Sequence, residues 1–285
     1  MIYKTAASWL EAPQKRVLLF GMSGLGKTHL SNMLRAGGDW YHYSIDYRIG
    51  TRYMGEHIVD NFKREAMQVP LLRELLMSDS IYIGSNITFN NLAPLSTYLG
   101  KPGDAAKGGL PFEEYQRRQA QHALAETSAL LDTAHFVERA QDIYGYSNFV
   151  CDSGGSICEV VDPQDRQDPV LSALAASVLL VWIEGSDAHT EELVRRFDAA
   201  PKPMCYQPEF LLKCWHSYLA ETGAAPDDVD PDAFVRWTYS SAMAHRQPRY
   251  RAMADNWGVK ITADEVAQVH TAKDFERLIA DILPD

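Results

Sequence analysis

Residues 21–28 read Gly-Met-Ser-Gly-Leu-Gly-Lys-Thr and match the pattern GxxxxGK[ST] in full. The chemistry of phosphate binding explains each required position. Gly21, Gly24 and Gly26 let the backbone turn its N–H groups inward as a nest for an anion. Lys27 has the reach for the β- and γ-phosphates of a nucleotide, and the Thr28 hydroxyl can ligate Mg²⁺. Met22, Ser23 and Leu25 complete the segment expected to contact the nucleotide. A catalytic nucleotide site also needs a carboxylate in the metal shell. Asp46 ends the run Trp40–Asp46 and Asp152 ends the run Ser147–Asp152. Both runs read as strands, and ligands of open α/β sheets bind beyond such strand ends. Thr28, Asp46 and Asp152 are therefore the candidate metal set. Asp46 is also the candidate for orienting or deprotonating an acceptor hydroxyl. The bland alternative for either aspartate is a helix cap.

Arg48 and Arg52 follow Asp46 closely. They either fork onto a carboxylate or phosphate of an acceptor or make surface salt bridges. Lys63 and Arg64 suit an exposed helix face. The nine histidines are dispersed, and His122, His135 and His216 fall in helical patterns as partly buried or surface residues. Trp40, Tyr41, Tyr43, Tyr47 and Tyr53 read mainly as core and rim, and Trp215 and Trp237 as packing anchors.

These residues need elements to position them. Lys15–Phe20 is a short apolar run stopped by Gly21, the pattern of a strand buried on both faces. Residues 28–34 show helical spacing and put a helix N-terminus at the loop, where its dipole favours phosphate. Strands are also expected at 40–46, 147–152, 178–183 and 258–262, with a further short one possible at 81–83. Helical patterns cover about 51–76, 111–144, 169–176, 191–197, 209–220, 231–244, 248–256 and 271–283. Residues 86–109 read as loop, with the Gly-rich stretch 101–109 as a mobile tip. Alternating strands and helices imply βαβ crossovers, hence an α/β chain with a parallel five-stranded sheet. We expect one domain over 1–285, carrying a mainly helical insertion at about 51–145 and a lid-like helical insertion at about 186–245.

Composition narrows the function. Against 27 Lys+Arg stand 38 Asp+Glu, a net charge of −11. Nucleic acid or an anionic membrane would require a broad basic face, so neither is an expected partner. A small basic pocket for an anionic metabolite remains compatible with that charge. No basic stretch followed by an apolar run opens the chain, and 171–183 is too short to span a bilayer. The four cysteines show no zinc spacing and read as free thiols of a reducing cytoplasm.

On four stretches the chain resembles the P-loop small-molecule kinases of the shikimate and gluconate kinase group, within the nucleoside-monophosphate kinase fold. These are the loop at 21–28, Ile45-Asp46-Tyr47-Arg48, the turn Asp152-Ser-Gly-Gly155, and Arg246-Gln-Pro-Arg-Tyr250 with Ala254. A weaker fifth match is Glu192-Leu-Val-Arg195-Arg196 through Lys202-Pro203, similar to a lid. The resemblance implies a P-loop NTPase fold with ATP and Mg²⁺ as cofactors. It also implies Gly154 and Gly155 in an acceptor-binding turn and Arg246 on an acceptor carboxylate. Arg195 or Arg196 would close over the transferred phosphate.

Arg48 stands where that group carries a second aspartate, and the insertions exceed what a small shikimate kinase needs. The implied activity is thus γ-phosphoryl transfer to a hydroxyl of a small anionic metabolite, not to shikimate in particular. Two other readings stay open. One is a nucleotide or nucleoside kinase. The other is a regulatory P-loop ATPase that meets a protein partner through the helical insertion.

Pro201 and Pro203, preceded by Ala199 and Ala200, make 195–202 poorly suited to continue a helix and suggest a mobile lid.

Overall fold

The computed structural model describes all 285 residues. They form two compact units, one of residues 1–45, 126–201 and 236–285, the other of residues 46–125 and 202–235.

The first unit holds the sheet. Its strands are β1 (Arg16–Phe20), β2 (Trp40–Ser44), β3 (Asn148–Asp152), β4 (Leu179–Glu184) and β5 (Gly258–Thr262). They lie in the order β2-β3-β1-β4-β5, and every pairing is parallel. Val17 to Phe20 and Leu179 to Ile183 are at most 1% exposed, which is why their sequence shows a continuous apolar run instead of alternation. The helix Lys27–Ala36 starts directly at the phosphate loop, and Pro169–Ser177 carries the chain from β3 to β4. The helix Pro231–Trp257 runs through Pro248, where the sequence pattern predicts two helices. An interior proline costs roughly 3 kcal/mol by losing a backbone bond. Neighbouring side chains offset it: Tyr250 and Met253 are fully buried, and the Arg249 guanidinium donates to the carbonyls of Cys158 at 2.7 Å and Val161 at 2.6 Å.

The second unit is helical and built on rings. Phe112 stacks on Trp215 at 4.4 Å, and Phe234 meets Trp215 edge-on at 5.1 Å. Arg118 lies over the Tyr98 ring at 4.5 Å and donates to Glu114, to the Tyr98 carbonyl and to Asn61. Glu114 is pushed down to about 2, first by its hydrogen bond from Arg117 and then by Arg118, against the opposing effect of burial.

Local expectations fail here in informative ways. Residues 51–76 divide into a π-helical turn Ile49–Tyr53 and the helices Gly55–Ala66 and Pro70–Met77. Residues 81–83 form no strand; Tyr82 is 92% exposed, so the apolar pattern there has no surface to pack on. The stretch read as loop contains the helix Ala93–Leu99, whose Leu95, Tyr98 and Leu99 form one buried face. Its Gly-rich tip is tied down rather than loose. Gly103 N–H donates to the Leu110 carbonyl, Leu110 N–H to that of Lys101, and Asp104 N–H to that of Val229, each at 2.8 Å. Gly103 has φ +135°, and a Cβ there would lie 2.2 Å from the Val229 oxygen. No helix is long and apolar enough to cross a membrane.

Candidate functional site

Gly21 ends the first strand at φ +134°, and a Cβ there would meet the Ile183 carbonyl at 2.6 Å. Only glycine permits that turn beside β4. Gly24 and Gly26 also adopt positive φ. Met22 and Leu25 bury their side chains beneath the loop, while Ser23, Gly24 and Thr28 face out. Lys27 is buried, and its ammonium donates to the carbonyls of Gly21 at 2.7 Å and Met22 at 2.8 Å. The lysine is thereby held across the loop, with its charge at the nest.

Register brings the carboxylate to this loop. Leu19 of β1 pairs with Asp152 of β3, and Ser153 N–H and Oγ both donate to the Leu19 carbonyl at 3.1 Å. Thr28 Oγ1 donates to Asp152 Oδ2 at 3.2 Å, and His42 Nε2 lies 3.2 Å from Oδ1. Asp152 thus stands at the edge of the loop, with one oxygen toward the threonine and the other toward a buried histidine. Two oxygen donors of hard character, a hydroxyl and a carboxylate, suit Mg²⁺, and the nest with Lys27 suits phosphates. The residues present therefore fit Mg²⁺·ATP.

The turn after β3 packs on the loop. A Cβ at Gly155 would lie 3.0 Å from Ser23 Oγ and 3.7 Å from an Arg246 terminal nitrogen. Tyr250 donates its hydroxyl to the Gly155 carbonyl. Gly154 is buried in the same turn. Arg246 Nε donates to Glu159 Oε1 at 2.6 Å, with 4% and 1% of the two side chains exposed, and His245 Nε2 is 3.5 Å from Oε2. Burial pushes the Glu159 carboxyl up, but the His245 hydrogen bond and the Arg246 charge outweigh it, so its pKa lies below the ordinary value. Arg246 is held charged: burial opposes the charge, and the surrounding acidic groups more than compensate. Burial pushes the neighbouring Cys158 thiol up to about 12, so it is no nucleophile.

The first unit therefore brings Gly21 to Thr28, Asp152, Gly154, Gly155 and Arg246 together. Asp46, Arg48 and Arg52 belong to the second unit. Asp46 does not end a strand. β2 stops at Ser44, which pairs with Asp152, and Asp46 is half-buried in the first turn of the helix Ile45–Arg48. The aromatic run overstates the strand because Ile45 continues its pattern into that helix. Arg48 lies 5.6 Å from the Tyr53 ring centre, and Arg52 is exposed on the π-helical turn.

Arg195 and Arg196 are exposed on the helix Asp187–Ala199 and donate to Glu192 at 2.5–2.8 Å. That helix, capped by Ser186, takes in the first five residues of the expected lid. Leu193 of the same helix reaches the loop, with Cδ2 2.8 Å from where a Gly24 Cβ would be.

His42, Glu159 and His245 join the site without having been singled out in the sequence, whereas Ser153 and Tyr250 lie in stretches that carry the family resemblance and join it with no role expected of them individually. His42 had one usable signal, its position two residues before the end of a strand beside β3. Glu159 had none, because a short 3₁₀ turn, Ile157–Glu159, sets its direction.

A five-stranded parallel sheet in this order, with the phosphate loop between β1 and the next helix and helices flanking it, defines a P-loop NTPase fold. No protein-family model matches the chain, and no curated protein does. Among solved structures the chain is similar to a shikimate kinase from Bacteroides thetaiotaomicron, at 15% identity and a TM-score of 0.41, over 94% of this chain and 97% of that one.

Proposed function

We propose that the protein is an ATP-dependent kinase that transfers the γ-phosphoryl group to a hydroxyl of a small anionic metabolite. The observation that supports it best is the Thr28–Asp152 contact at 3.2 Å, beside a complete phosphate loop. Phosphoryl transfer asks a protein to position groups and neutralise charge, and this is an arrangement of that kind. Backbone N–H groups of residues 21–28 and the Lys27 ammonium would hold the phosphates, and Thr28 with Asp152 would serve the Mg²⁺ shell. Mg²⁺·ATP, when bound, supplies the phosphoryl group.

Asp46 is assigned to the acceptor hydroxyl, which it orients or deprotonates, and to the outer metal shell. Arg195 and Arg196 are assigned to the charge that develops on the transferred group. Gly154, Gly155 and Arg246 line the acceptor turn, where Glu159 keeps the guanidinium charged and in place. Arg48 and Arg52 are assigned to an anionic group of the acceptor. The cytoplasm, where ATP is abundant and thiols stay reduced, is the proposed compartment.

The test is a screen of hydroxylated organic acids and sugar phosphates for ADP release, with mass spectrometry of the product. ADP release that depends on one acceptor, with a product heavier by one phosphoryl group, is expected. Equal ADP release with and without every acceptor would replace this reading with a hydrolase.

A further inference from the structure

The second unit contains a cleft of about 660 Å³. Cavities of roughly 300–1,000 Å³ are the size that holds small molecules. Its lining holds three lysines, Lys101, Lys107 and Lys202, and one carboxylate, Asp232, with Phe89 and Asn90 on the same wall system. Such a cationic lining is unexpected in a chain whose net charge is −11.

The three ammonium groups differ in how they are matched. Lys101 is tightly paired with Asp232. Lys107 faces Asp230 across 3.7 Å with about half of each side chain exposed. Lys202 is exposed and has no carboxylate within ion-pair distance. Lys202 thus stands in the cleft with no carboxylate partner, and Lys107 is matched only through a long, half-exposed pair that an incoming anion can compete with. Concave cationic walls focus potential and raise the local concentration of anions.

The walls are also preformed. The backbone bonds that staple 101–110 to itself and to Val229 hold Lys101 and Lys107 in one short, braced segment. The Phe89 ring is stacked on Tyr47 at 4.7 Å, which fixes the apolar side. Lys202 arrives from a distant part of the chain. The braced 101–110 wall loses little entropy on binding.

We propose that this cleft binds a small organic anion carrying at least two carboxylate or phosphate groups. The ammonium groups of Lys107 and Lys202 hold the charges, and Asn90 and Phe89 contact the carbon skeleton. The proposal stands whether or not the kinase reading does.

The test is calorimetric titration of the full-length Lys27→Ala variant, so that the phosphate loop does not contribute, at low ionic strength. Citrate is the carboxylate probe and fructose 1,6-bisphosphate the phosphate probe, and the tighter of the two names the preferred group. At least one should bind with a stoichiometry of one and weaken on addition of salt. Its affinity should fall about tenfold or more when Lys107→Ala and Lys202→Ala are added, with an unchanged far-UV circular dichroism spectrum. The folded state should tolerate both changes because both side chains are largely solvated. Failure of both probes to bind, or binding undiminished by the two added substitutions, would overturn the proposal. Kinase turnover is not read in either arm, so the result is separate from the acceptor screen.

Discussion

In the sheet-bearing unit Arg246 and Glu159 meet with 4% and 1% of their side chains exposed, whereas in the helical unit Lys107 and Asp230 face each other at 3.7 Å with 51% and 46% exposed. The same pair of charges does different work in the two settings. Removing one member of a buried pair leaves an uncompensated charge in a poor solvent, so such a pair fixes geometry. An exposed pair is worth little to the fold, and its cation stays available to an incoming anion. The first unit spends its ionic contacts on positioning the turn beside the phosphate loop. The second leaves its lysines facing a cleft.

The sharpest way to break this contrast is to empty one side of the buried pair. Glu159→Gln should destabilise the protein by about 3–5 kcal/mol, read as a lowered urea midpoint. The wild type should show the matching pH dependence. A carboxyl whose folded pKa is lowered contributes stability that is present above its unfolded pKa and lost as pH falls through the folded value. The variant should lack that acid-side loss. An unchanged midpoint would mean that the pair is not buried in solution.

Next in size is the loop itself. Lys27→Ala removes a buried ammonium that donates to the Gly21 and Met22 carbonyls, so stability should change modestly. Turnover should fall on the order of 10²–10³-fold, the scale for removing one transition-state charge partner. Normal turnover together with normal ATP affinity by calorimetry would remove the loop from the chemistry.

Asp46→Asn probes the second unit's contribution to turnover. A fall of roughly 10²-fold, with ATP binding nearly retained, is the expected signature of a lost general base. If Asp46→Asn turns over normally and Asp152→Asn is dead, the base and metal roles belong to Asp152. Full activity in both would dismiss the two-carboxylate site.

The smallest expected effect sharpens the comparison from its exposed side. Glu192→Gln releases Arg195 and Arg196 from a surface pair, and thermal denaturation should be indistinguishable from wild type. Arg196→Ala should also leave the melting temperature alone while lowering kcat. If it lowers neither, the assignment of these arginines to the transferred phosphate fails.

The phosphate loop, the two strands leading to it and to Asp152, and the α/β class were all legible without coordinates. Their signals are local. A buried parallel strand must be apolar throughout, a nest must carry glycines, and a helix must begin where its dipole meets the loop. Proline and glycine statistics, equally local, mislead over 86–109, because long-range contacts decide that stretch. The face formed by Leu95, Tyr98 and Leu99 has something to pack on, and Val229 anchors Gly103. The same holds for Pro248, whose helix persists on the anchoring of Arg249 and Tyr250.

The sequence by itself determined the cradle and the class of fold, since both rest on residue types within one or two turns of each other. Only the tertiary structure decided which carboxylate faces Thr28, that Glu159 holds Arg246, and that three lysines 101 residues apart at their extremes share one cleft. Strand register and side-chain burial set those outcomes. Each is a sum over many distant contacts, and no short pattern of residues encodes such a sum.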